Sequence, residues 1–274
     1  MTDRPNPLKA VRESVDSRPC RALTLVELLV VVVVLGVLLA MLLPGLARRN
    51  QRSSQIHCAG RLKQIGLSFR FFSLDNNDRF PPGVGTNEGG VKEWVNSGPG
   101  GTGDPTRTYW VFACMSNELA TPKILVCPED KDRQVISNFH ALAYTTPLLR
   151  GGQNAALSYF VNLDADETRP TEILVGDRNI STVTNARHAR DYDAFFGVEH
   201  RIRPRDAEPG GGYANLDFHP TLHYYDRNTK TRQGNLAMAD GSVQQASGAR
   251  ARGLILASTN DLRLLFPFVP GKNE

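Results

Sequence analysis

The chain is short of the residue patterns that carry most enzymatic and nucleic-acid chemistry. Its four cysteines, at positions 20, 58, 114 and 127, form no CxxC pair and match no zinc-module spacing, which argues against a structural zinc. No Gly-x-Ser-x-Gly elbow occurs, so the sequence mark of a serine hydrolase is missing. The net charge is only +4 and is spread along the chain. Without a concentrated basic stripe interleaved with aromatics, nucleic acid is excluded as a partner. No internal repeat is visible, which excludes solenoids and propellers. The glycine-rich stretch GPGGTGDP brings Gly98 and Gly103 to the spacing of a phosphate-binding loop. Asp104 then stands where the lysine belongs, and a carboxylate there repels phosphate.

What is present is a water-soluble composition, 22% charged over 274 residues, interrupted by one run: ALTLVELLVVVVVLGVLLAMLLPGLA. From Leu23 to Leu43, 21 residues, only Thr24 and Glu27 are polar. A helix needs about 20 residues to cross roughly 30 Å of hydrocarbon, and so continuous a run is too long for a buried strand. The segment is predicted to enter a membrane. Arg4, Lys9, Arg12, Arg18 and Arg21 precede it, and Arg48, Arg49, Arg52, Arg61 and Lys63 follow it. That balance leaves its orientation open. An ordinary secretory signal competes, because Gly45 and Ala47 suit a cut after Ala47; against it, the run is long and an acid at its start is unhelpful. An ionised Glu27 in hydrocarbon costs at least about 2.5–3.5 kcal/mol unless it is paired.

The run resembles the N-terminal signature of type IV pilins and type II secretion pseudopilins. The resemblance implies that a leader, residues 1–22, is removed by prepilin peptidase between Ala22 and Leu23, and that Leu23 is then N-methylated. Glu27 becomes the fifth mature residue and Pro44 the twenty-second, the places of the family's glutamate and helix-loosening proline. In the family that glutamate meets the N-terminal amine of a neighbouring subunit during filament assembly. Positions i and i+4 are also neighbours on one helix, so Glu27 could instead pair with its own Leu23 amine. One departure is that Ala22 replaces the family's glycine before the cut.

After the transmembrane segment, residues 23–43, an amphipathic continuation is predicted over residues 44–75. Leu62, Ile65, Phe69 and Phe72 make its apolar stripe, and Pro44 is read as the helix break. DNNDRFPPG ends the helix as a solvated turn. Residues 76–274 read as a globular domain. Its glycine-rich 83–106 is expected to be a mobile loop or an insertion. YWVFACM, KILVCPED, LSYFVNL and EILVGDRN read as short strands, and Asp240-Gly241 as a hairpin turn. SGARARGLILASTNDLRLLFP reads as a closing helix. The fold class is α+β: a pilin-like long helix packed on a small antiparallel sheet with long loops.

CAGRLKQIGLSFRFFSLDNNDRFP, SNELATPKILVCPED, LSYFVNLDADE, GDRN and GNLAMADGSVQ resemble a planctomycete and verrucomicrobial pseudopilin-like subgroup. Cys58 and Cys127 lie in these family-like segments. They are the candidate disulfide, chosen among three pairings of the mature cysteines, with Cys114 free and Cys20 lost with the leader. His219 and His223, with Asp217, Asp226 and Asp240, make a weak metal set, since Pro220 displaces the glutamate of a zinc-protease helix. Asp177 and Arg178 are read as a local ion pair. No cofactor is assigned; calcium on loop carboxylates is allowed by the resemblance, with no ligand named.

The resemblance implies a structural protein and not an enzyme. It would be a pseudopilin held in the inner membrane by one span, with a periplasmic globular domain that is drawn into a filament. Its partners would be prepilin peptidase, other pseudopilins and the inner-membrane proteins of a secretion machine. Two alternatives stay open: an anchored or secreted binding protein that uses the N-terminus only for export, and a secreted metal-dependent hydrolase.

Overall fold

The computed structural model describes residues 24–144, 153–181, 199–218, 225–226 and 231–268, with side chains left aside at 42–55, 181, 225–226 and 231. The chain divides into two units, residues 1–48 and 49–274. One helix, α1, runs over Leu25–Asp75.

In the first unit α1 has no polar face, Glu27 being the one polar residue from Leu25 to Met41. From Leu25 to Met41 every described side chain is exposed, Leu25 at 78% and Val34 still at 51%. Among the described residues no helix is long and apolar enough to cross a membrane. The described side chains of the run stop at Met41, short of the predicted end at Leu43. The helix is continuous through Pro44 and Gly45, where a break was predicted. Proline forfeits one amide and crowds the preceding turn, at about 3 kcal/mol. In a helix of 51 residues, long helical stretches on both sides hold that turn in place.

The second unit is built on a mixed-length antiparallel sheet of seven strands. The strands are β1 (Tyr159–Asn162), β2 (Ile173–Asp177), β3 (Ile180–Ser181), β4 (Glu199–Ile202), β5 (Asp217–Phe218), β6 (Tyr225–Asp226), β7 (Thr231–Met238), β8 (Val243–Ser247) and β9 (Leu262–Leu265). The order is β4-β9-β1-β2-β7, with β6 and β8 both paired to β7, while β3 and β5 form a separate ribbon. Alternation along the strands feeds two cores. Tyr159 and Val161 join Cys58, Leu62, Ile65, Phe69 and Phe72 of α1 in one. Phe160, Leu236 and Met238 join Ala251 and Ile255 of the helix Gly248–Leu256 in the other. The sheet is therefore covered on both faces and is larger than the small sheet that was predicted.

Three local readings are corrected. YWVFACM is helical over Tyr109–Ala113, burying Tyr109, Val111 and Phe112; a five-residue apolar run does not by itself distinguish strand from helix. KILV belongs to a 3-10 turn, Pro122–Leu125, because Pro122 presets its φ and the Thr121 hydroxyl accepts from the Lys123 amide at 3.4 Å. The closing helix stops at Leu256, and LRLL is β9, paired to β1 and β4.

The glycine-rich 83–106 is pinned in place. The Gly103 amide donates to the Glu199 carboxylate, the Asp104 amide to the Val95 carbonyl at 2.6 Å, and Arg263 to Asn96 at 2.8 Å. Asp104 caps a 3-10 turn, accepting from the Thr106 amide at 2.9 Å.

The Asp240-Gly241 hairpin turn, with Gly241 at φ +75°, sits against α1. Lys63 Nζ donates to the Gly241 carbonyl at 2.7 Å and Arg70 to the Asp240 carbonyl at 3.2 Å. A Cβ at Gly66 would lie 3.4 Å from the Gly241 backbone, in ordinary van der Waals contact, so the turn packs closely on this face of the helix.

A disulfide joins Cys58 of α1 to Cys127, with Cα atoms 5.5 Å apart and a sequence separation of 69; Cys114 is free. Peptide mapping without reductant is expected to yield the Cys58–Cys127 pair, and a Cys114-linked peptide would overturn it. Its replacement by a Cys58→Ala, Cys127→Ala double variant is expected to lower stability by about 2–4 kcal/mol in urea unfolding.

Candidate assembly segment

At the start of α1 the sequence Thr24-Leu25-Val26-Glu27 closes a capping box. The Glu27 amide donates to Thr24 Oγ1 at 3.2 Å, and the Thr24 amide donates to Glu27 Oε2 at 2.9 Å. Thr24 Oγ1 also donates to the same Oε2, at 3.0 Å, and the first helical bond runs from the Leu28 amide to the Thr24 carbonyl at 3.1 Å. Two of the orphan donors at the helix start are satisfied reciprocally, which matters most where no water can reach them. Glu27 Oε1 accepts no hydrogen bond among the described residues. The signal is present in the sequence as Ser/Thr-x-x-Glu before an apolar run. Ala22 and Leu23, the predicted cleavage and methylation positions, lie outside the described residues.

The other residues singled out in the sequence do not converge on a reaction centre. His219 and His223 lie outside the described residues. Asp217 accepts from the Phe218 amide at 2.8 Å and lies 3.7 Å from Arg232, and Asp240 accepts from the Ser242 amide at 2.7 Å, so both serve local structure. Among the described residues no group of three or more His, Cys, Asp or Glu could hold a metal ion. An open groove of about 440 Å³ is lined by Asp164, Asp166, Asp261, Lys92, Arg169 and Arg263, among others, and its charges balance.

Asp177, the last residue of β2, and Arg178, just beyond it, each engage other residues. Asp177 Oδ2 accepts from the Asn235 amide at 2.6 Å and from its side chain at 2.9 Å. Arg178 forks onto the buried Asp130 carboxylate at 2.6 and 2.7 Å, with Arg133 at 3.8 Å from the same group. Burial alone would raise the Asp130 pKa; the hydrogen bonds and charge of Arg178, with the charge of Arg133, outweigh it and hold the carboxyl below its ordinary range. This is a structural network, bridging a loop to the end of β2, and sequence distance hid it.

No curated protein and no solved structure matches the chain. A family model, the prokaryotic N-terminal methylation motif, matches residues 17–43. The start of α1, with its capped glutamate at the head of an apolar helix, thus lies inside a segment bearing the type IV pilin-like signature of a prepilin peptidase substrate.

Proposed function

We propose that the protein is a pseudopilin: a subunit of a type II secretion or type IV pilus-like filament, stored in the inner membrane with residues 49–274 on the periplasmic side. The observation that carries this reading is the conjunction at residues 17–43 of the methylation motif, an unbroken apolar helix and one acid four residues after the proposed new N-terminus. Prepilin peptidase removes residues 1–22, Leu23 is methylated, and Glu27 receives the amine of a neighbouring copy. Residues 49–274, with both faces of the sheet covered, form the part displayed along the filament. No catalytic role is assigned to any residue.

Intact mass of the membrane-extracted protein tests the reading. The expected species begins at Leu23 and is heavier by one methylene; a chain beginning at Arg48 would support ordinary secretion instead. Because Ala22 is slightly bulkier than glycine, Ala22→Gly is expected to speed cleavage in a pulse-chase, and Ala22→Leu to block it. Normal processing of Ala22→Leu would sink this account of the junction.

A further inference from the structure

We propose that Trp94 and Trp110 form a stacking platform for a neutral glycan, with Ser97, Thr106 and Arg107 arranged around Asp104 to hydrogen-bond its hydroxyls. The site lies within residues 49–274 and stands whether or not residues 17–43 bring the chain into a filament. Both tryptophans of the chain are in it. Trp94 sits on the short helix Lys92–Val95 and Trp110 on Tyr109–Ala113, with ring centroids 4.5 Å apart and planes at 48°. Tyr109 packs on Trp110 at 5.1 Å. Trp110 is half-buried, but Trp94 is 38% exposed. A tryptophan fixed by a second ring yet still wet offers a rigid, flat apolar surface, the kind on which aromatics bind a partner.

The rim decides the partner's chemistry. Ser97 Oγ lies 2.7 Å from the Trp94 carbonyl and 3.1 Å from Asp104 Oδ2, so its one proton is committed inward to either acceptor. Thr106 Oγ1 donates to Asp104 Oδ1 at 2.6 Å, beside the Thr106 amide at 2.9 Å. Arg107 Nε stands 3.2 Å from Asp104 Oδ2, and among the described residues no hydrogen bond takes up its two terminal nitrogens. Asp104 thus turns two hydroxyl oxygens into acceptors and holds a guanidinium as donor. The Asp104 and Arg107 charges offset each other. An incoming cation would meet Arg107 and an anion Asp104, whereas an uncharged ligand meets neither penalty.

A pyranose ring has the matching surfaces. Its C–H face lies on Trp94, and its hydroxyls, each donor and acceptor, meet the two hydroxyl oxygens and the guanidinium. A proline-rich peptide would also cover the ring, but its tertiary amides donate nothing to Ser97 or Thr106. The loop is held before any ligand arrives, the Asp104 amide donating to the Val95 carbonyl at 2.6 Å and the Gly103 amide to Glu199, which lowers the ordering cost of binding.

Intrinsic fluorescence reports the site directly, because it holds both tryptophans. The full chain, in a detergent without a sugar headgroup, is titrated with cellohexaose, xylohexaose, mannohexaose, chitohexaose and maltohexaose, and the variants are followed by calorimetry. At least one sugar is expected to shift the emission saturably. Trp94→Ala is expected to weaken that binding about tenfold or more, and Arg107→Met about tenfold, while Trp94→Phe keeps most of the affinity. The Arg107 side chain is 45% exposed, so Arg107→Met keeps the test decisive if Trp94→Ala loosens the fold. No saturable shift with any of these sugars up to about 10 mM would overturn the proposal. Wild-type affinity in both Trp94→Ala and Arg107→Met would also overturn it. An oligoproline peptide that binds where no sugar does would give the platform to a protein partner instead.

Discussion

Glu27→Ala is expected to insert into the membrane as well as the wild type, or better, and to lose filament assembly. The side chain stands alone as an acid at the head of a helix whose described residues up to Met41 are otherwise apolar or glycine. Its removal makes the helix more apolar, and at about 2.5–3.5 kcal/mol per buried charge insertion can only gain. What disappears is the attraction for another copy's amine, which is strong at low dielectric although desolvation reduces its net worth. The variant also opens the capping box, since the Thr24 amide loses its acceptor. Glu27→Gln separates the two effects: glutamine still accepts from Thr24 but carries no charge. Membrane fractionation and cross-linking along α1 are the measurements. Both variants are expected to fractionate with the membrane and to lose cross-links; a Glu27→Gln protein that cross-links like wild type would place the whole effect in the cap and none in the charge.

Arg178→Met is expected to cost about 3–5 kcal/mol of folding stability, because the buried Asp130 carboxylate loses its forked partner and keeps the Asp132 amide at 3.3 Å and Arg133 at 3.8 Å. Replacing both partners, Asp130→Leu with Arg178→Met, should cost much less, since no uncompensated charge remains. The sign of the pH dependence follows from the depressed carboxyl. In the wild type the folded pKa of Asp130 lies below its unfolded value, so the pair's contribution is complete above about pH 4 and is lost as pH falls through the folded pKa. In Arg178→Met the leading influence on Asp130 is burial, which favours the neutral acid. The gap between variant and wild type should therefore narrow on acidification. Urea unfolding of the full chain at about pH 7 and about pH 3.5 reads both effects; a gap that widens in acid would contradict the assignment.

The helix stripe and the hairpin were legible because each is a local pattern. Leu62, Ile65, Phe69 and Phe72 repeat at helical spacing, and Asp240-Gly241 sits between two runs that pair from Gln233–Ser247 to Ala237–Val243. The segments holding β1 and β2 were legible for the same reason. The helix at Tyr109 and the turn at Pro122 were not, because an apolar run of that length fits strand and helix equally, and Pro122 was read as flanking a strand when it starts a turn. LRLL was read as helix because a helix precedes it; its pairing with β1 and β4 is a tertiary choice. Arg178 found its partner 48 residues away, beyond any spacing rule. The capping box was visible in four letters, TLVE, and the charge of Glu27 drew the reading away from its neighbour.

The turn seated against α1 also sets an order of events. Lys63 and Gly241 are 178 residues apart, and Arg70 and Asp240 are 170 apart. Contacts so distant in sequence form late, because the loop between them must first be closed and its ends become available only when nearly the whole chain has been made. The Cys58–Cys127 loop spans 69 residues and can close well before that. On this account the cysteine bridge forms on a helix whose neighbouring flank is still bare, and the last hairpin to leave the ribosome is the piece that locks the first helix down. A chain truncated before Asp240 would keep its bridge and lack its latch.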